Sequence, residues 1–74
     1  MAKSVREQIE ELESLLDNAR QYAQQLITFE GAHQPFNSLA VNANIHDMLK
    51  RSGAIADKLT VHYGRQLERE KVRK

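Results

Sequence analysis

Hydrophobic residues between Val5 and Phe29 recur with the period of an α-helix. Plotted at ~100° per residue, they fall within an arc of about 160°. Ser4 followed by Glu7 matches a capping box, which marks a helix start. The pattern predicts an amphipathic helix over about residues 4–30. The arc contains Val5, Ile9, Leu12, Leu15, Leu16, Ala19, Tyr22, Ala23, Leu26, Ile27 and Phe29.

The segment that follows interrupts this pattern. Gly31 suits a position with positive φ just after a helix. Pro35 has no amide hydrogen and restricts Gln34 to extended conformations, so the helix cannot continue through it. We predict a loop over about residues 31–37. Because the connection is short, the flanking helices are expected to form an antiparallel hairpin.

A second amphipathic pattern predicts a helix over about residues 38–70, with a bend near 42–44 or 52–53 as an alternative to a straight helix. Its apolar arc spans about 120°. The fold class is therefore all-α, with residues 1–74 forming one helical-hairpin domain. The second arc contains Val41, Ile45, Met48, Leu49, Ser52, Ile55, Ala56, Leu59, Tyr63 and Leu67.

The first helix has a wider apolar arc than one neighbouring helix needs. A chain of 74 residues without cysteine gains no stability from disulfides, and oligomerisation is the usual way to add buried surface. We expect a homodimer, most simply an antiparallel four-helix bundle. The residues expected in the dimer core are Leu12, Leu15, Leu16, Ala19, Tyr22, Leu26, Ile45, Met48, Ile55, Leu59 and Tyr63.

No sequence motif indicates catalysis. The chain has no G-x-S-x-G sequence and no glycine-rich nucleotide loop. His33, His46 and His62 are not spaced as metal ligands usually are. We expect no enzymatic activity, cofactor, bound metal or small-molecule substrate. The absence of a signal sequence, of a membrane-spanning run and of cysteine favours a cytoplasmic protein.

Basic residues form a column on the second helix, composed of Arg51, Lys58, Arg65 and Arg69. Residues 1–29 carry net charge −2 and residues 37–74 carry +4, so solvated pairing between the helices is one explanation of this column. It could also contact an acidic protein, or nucleic acid by phosphate contacts, although no aromatic residue interleaves to stack on bases.

The two phenylalanines flank the predicted loop. Phe29 and Phe36 could both fold back over the end of the hairpin, which we favour, or Phe36 could anchor a partner. The sequence thus favours a protein–protein interaction module (adaptor, inhibitor or regulatory factor) acting as a helical dimer. A nucleic-acid-binding regulator and a structural subunit of a larger helical assembly are the alternatives. Two-helix proteins that dimerise into four-helix bundles have a similar architecture, but no shared motif links this chain to them.

Overall fold

The computed structural model describes residues 3–73 and consists of two helices. Helix α1 spans Val5–Gly31 and helix α2 spans Pro35–Arg73. The helices pack against each other, so the prediction of an all-helical two-helix hairpin is confirmed. Helix α2 begins three residues earlier than the sequence predicted and runs without interruption through both positions where a bend was considered.

The start of α1 is a capping box, as Ser4 and Glu7 predicted. The Glu7 amide donates to Ser4 Oγ at 3.1 Å, and the Ser4 amide donates to Glu7 Oε1 at 3.3 Å. These reciprocal bonds satisfy two amides that would otherwise lack a partner in the first turn.

The end of α1 is a Schellman motif, and here the sequence prediction was wrong. Gly31 remains helical, and His33 takes the left-handed conformation with φ 54°. The His33 amide donates to the Glu30 carbonyl at 3.1 Å, and the Gln34 amide donates to the Phe29 carbonyl at 3.0 Å. This pair of bonds requires the residue between the cap and Gln34 to have positive φ.

The physical reason for the shift is the position of Pro35. Proline is favoured at the first position of a helix, because its missing amide hydrogen has no partner there and its φ suits the helix. Pro35 therefore opens α2 instead of lying in the loop. The link is reduced to residues 32–34, and the left-handed residue must lie just before Gln34.

The contact between the helices follows a heptad pattern in both of them. The buried and half-buried positions alternate at spacings of three and four residues, which is the pattern of a coiled-coil seam. In α1 they include Val5, Gln8, Leu12, Leu15, Ala19, Tyr22, Leu26 and Phe29, and in α2 they are Ser38, Val41, Ile45, Met48, Ser52, Ile55, Leu59 and His62. Because the helices are antiparallel, the two series pair in reverse order, from Phe29 opposite Ser38 to Val5 opposite His62.

Little of this seam is fully buried. Among the described residues only Ala19, Val41, Leu59 and Ser52 are buried, and no large side chain is fully buried. The Ser52 hydroxyl donates to the Met48 carbonyl at 2.8 Å, so this polar residue is satisfied within its own helix. One pair of helices thus leaves most apolar side chains in partial contact with solvent.

The two helices differ in length, which leaves part of α2 without a neighbour. With 27 and 39 residues, they extend about 40 Å and about 58 Å at ~1.5 Å per residue. The long axis of the chain is 60 Å, in agreement with the second length. Since Val5 lies opposite His62, α2 continues beyond the start of α1 from Tyr63 onward. Every side chain described from Tyr63 to Lys71 is exposed.

Candidate interaction surfaces

Most of the large exposed hydrophobic residues lie on one side of the hairpin, which we call the apolar flank. In both helices, a flank residue comes directly after a seam residue: Leu16 follows Leu15, and Leu49 follows Met48. Between the large residues, the same positions hold small residues such as Ala23 and Ala56, and in α1 also the charged residues Glu13 and Arg20. The large residues of the apolar flank are Ile9, Leu16, Ile27, Leu39, Leu49, Tyr63 and Leu67.

The two halves of the flank lie on the same side because the helices are antiparallel. In such a pair, the position after the seam in one helix faces the same position in the other, and the positions before the seam face each other on the opposite side. The structure bears this out on the polar side, where Glu11 and Lys58, each preceding a seam residue, line one cleft together. The apolar flank therefore lies across the seam from this cleft.

The basic column lies on the polar side, and half of it already has a carboxylate nearby. Arg51 Nε is 3.3 Å from Asp47 Oδ2, one turn earlier in α2. Lys58 shares its cleft with Glu11, which is paired with Lys3. Lys58, Arg65 and Arg69 make no salt bridge among the described residues, and Arg65 and Arg69 lie at the end of α2, away from the carboxylates of α1.

The loop end of the hairpin presents one of its phenylalanines to solvent. Phe29 is half-buried in the seam, whereas Phe36 is 83% exposed. The favoured expectation that both phenylalanines fold back over the hairpin end is therefore wrong for Phe36. As the second residue of α2, Phe36 points away from the seam that begins at Ser38.

The residues expected in a dimer core fall into two groups. Nine of them lie in the seam between α1 and α2 of one chain, buried or half-buried. Leu16 and Tyr63 lie on the apolar flank, 47% and 44% exposed. The nine are Leu12, Leu15, Ala19, Tyr22, Leu26, Ile45, Met48, Ile55 and Leu59. The prediction from the sequence took each apolar arc as one surface and did not separate seam residues from flank residues. The alternating spacing of three and four residues was the signal that could have separated them.

Within residues 3–73, no three His, Asp or Glu side chains come close enough together to hold a metal ion. Neither α1 nor α2, over the same residues, is apolar enough along its length to cross a membrane.

The accessible surface of the single chain is large for its mass. The chain exposes 6295 Å², whereas the scaling for folded monomers gives about 4,700 Å² at 8.5 kDa. The excess of about 1,600 Å² is roughly twice the ~800 Å² that each partner buries in a standard protein interface. This excess comes from all faces of an elongated hairpin with extents of 60 × 24 × 14 Å, and it is of the size that association removes from water.

Comparison of the chain with protein-family models, curated proteins and solved structures finds no match.

Proposed function

We propose that this chain is a non-enzymatic protein–protein interaction module that works as a helical homodimer. A second copy covers the apolar flank, and the four helices form one bundle. The observation that carries the proposal is the apolar flank itself, with seven large hydrophobic residues aligned on one side of a hairpin that has almost no buried core. Large exposed apolar patches mark association sites in soluble proteins.

In this dimer the polar side stays accessible to a second protein. Arg65 and Arg69 extend beyond α1 without a salt bridge in the described region, and Phe36 is exposed at the other end of the hairpin. An acidic or partly apolar protein surface is the partner that these groups fit. A chain without cysteine suits a reducing compartment, and the location proposed with this function is the cytoplasm.

Thermal unfolding at several protein concentrations tests the proposal. When the folded state is a dimer, mass action raises the midpoint with concentration. We expect the loss of helical circular dichroism to shift upward by several degrees between micromolar and high-micromolar samples. A midpoint independent of concentration, with full helicity at the lowest concentration, would contradict a dimer.

A further inference from the structure

The segment of α2 from Tyr63 onward has no helix of its own chain beside it. Its flank residues Tyr63 and Leu67 are 44% and 61% exposed. The segment continues α2 without packing of its own, and most helical stability in proteins comes from the packing of an amphipathic face, so it gains from a neighbour. We call the segment Tyr63–Lys71 the α2 extension.

The loop end of the hairpin has apolar side chains that no part of the same chain covers. Ile27 and Leu39 are the most exposed large residues of the apolar flank, at 74% and 70%. They lie on adjacent helices at the same level of the hairpin, on either side of the groove between α1 and α2. A helix laid in that groove would cover both side chains.

On the basis of the proposed homodimer, we infer that the two copies pack antiparallel, with the α2 extension of each copy in the groove between Ile27 and Leu39 of the other. The two-fold axis is perpendicular to the long axis of the hairpin and passes close to Gly53. The partner of this surface is thus a defined segment of a second identical chain.

The positions of the flank residues along α2 support this orientation. Leu39 and Leu67 are equally far from Gly53 in sequence, and Gly53 is next to the middle of Pro35–Arg73. An antiparallel pair of α2 helices crossing at Gly53 therefore overlaps over its whole length and brings Leu39 of one copy to Leu67 of the other. A side chain added at Gly53 meets no other atom of its own chain within 4 Å, so the surface at the proposed axis is open.

Two hairpins can also be related by a two-fold axis that runs along the bundle. The charges of the α2 extensions favour the perpendicular axis over this alternative. That arrangement places both α2 extensions at the same end, although each has three basic residues, Arg65, Arg69 and Lys71, against two acidic ones, Glu68 and Glu70. Like charges brought together oppose association. In the antiparallel arrangement, each extension meets residues 21–46 of the other copy, where Glu30 is the only acidic or basic residue besides histidines.

The perpendicular axis also covers more of the apolar flank than the axis along the bundle does. With the axis along the bundle, α1 of one copy packs on α2 of the other and Ile27 meets Leu39, but Tyr63 and Leu67 stay exposed. With the axis perpendicular to the bundle, both ends of the flank are covered. The whole-chain excess of about 1,600 Å² is larger than the ~800 Å² that each partner buries in a standard interface, which is compatible with a dimer of this kind.

Disulfide trapping between singly substituted chains tests the orientation, since the natural chain has no cysteine to interfere. Leu39→Cys chains are mixed under mild oxidation with Leu67→Cys chains, and separately with Ile27→Cys chains. A Val61→Cys chain is the matched control, because Val61 is an exposed apolar residue of α2 off the flank. Each reduced variant is first checked for helicity and mass.

We expect a high yield of the disulfide between Leu39→Cys and Leu67→Cys, and background yield with Val61→Cys. A preferred disulfide between Leu39→Cys and Ile27→Cys would overturn the orientation while leaving a dimer. Background yield in every mixture of a chain that still sediments as a dimer would also overturn it. A monomeric mass for the natural chain would instead contradict the proposed homodimer, so the two failures are distinguishable.

Hydrogen exchange on the unsubstituted chain provides a second test that no substitution can disturb. In the antiparallel dimer, the amides of the α2 extension exchange slowly at high concentration and lose protection on dilution. Fast exchange of this segment at all concentrations, in a chain that is otherwise protected and dimeric, would overturn the inference.

Discussion

Leu49 and Val61 lie in the same helix and are equally exposed, at 52% each, but only Leu49 lies on the apolar flank. Replacing Leu49 by glutamate removes apolar contact from both copies of a dimer and forces a carboxylate into the interface. We expect the dissociation constant of the dimer to rise at least ~100-fold, which is about 2.7 kcal/mol. Sedimentation equilibrium measures this change.

The matched control is Val61→Glu, which introduces the same charge at the same exposure on the other side of α2. We expect its dissociation constant to stay within ~3-fold of that of the natural chain. Equal effects of the two substitutions would mean that the apolar flank is not the association surface.

Replacement of His33 by glycine should stabilise the fold. His33 has φ 54°, a conformation that costs a residue with a side chain about 1–2 kcal/mol and costs glycine little. We expect a gain of about 1 kcal/mol, or about 4–8 °C in the unfolding midpoint at fixed protein concentration. His33→Ala is the control, since it removes the imidazole but keeps the conformational cost. A gain from alanine as large as that from glycine would indicate an unfavourable imidazole instead of backbone strain.

Loss of the capping box should weaken α1. Ser4→Ala removes the acceptor that lies 3.1 Å from the Glu7 amide. We expect the free energy of unfolding, measured with a chemical denaturant, to fall by about 1 kcal/mol. Ser14 is an exposed serine in the middle of the same helix. Ser14→Ala should leave the free energy of unfolding unchanged or raise it by about 0.5 kcal/mol. Equal stabilities for the two variants would show that the cap contributes nothing.

The basic column should be a poor nucleic-acid site. Asp47 pairs with Arg51 and Glu11 lines the same cleft as Lys58, so these carboxylates weaken the positive potential over half of the column. We expect no binding of a short DNA duplex or an RNA hairpin at physiological salt in a mobility-shift assay. Saturable binding that weakens with a log–log slope of ~0.9 per phosphate, and is lost in an Arg65→Glu, Arg69→Glu variant, would instead favour the nucleic-acid-binding alternative.

Hydrophobic periodicity and local capping signals were enough to predict the all-helical hairpin. Ser4 with Glu7 identified the start of α1, and the break near Pro35 identified the connection. The end of α1 was misjudged because the sequence favours glycine at a left-handed position, while Pro35 at the start of α2 moved that position to His33.

The candidate surfaces were harder to predict than the helices. Each arc of apolar residues combines a seam within the chain with a flank outside it, and their separation depends on how the two helices pair. Leu15 and Leu16 illustrate this, because they are neighbours in one arc but Leu15 packs in the seam and Leu16 lies on the flank. The α2 extension also depends on the pairing, since it is defined by Val5 lying opposite His62.

Sedimentation equilibrium of the unsubstituted chain from micromolar to high-micromolar concentration is the most direct measurement of whether a second copy covers the apolar flank. We expect the mass to approach twice the 8.5 kDa of one chain as concentration rises, with helicity retained. A mass of 8.5 kDa throughout, for a fully helical chain, would contradict the homodimer.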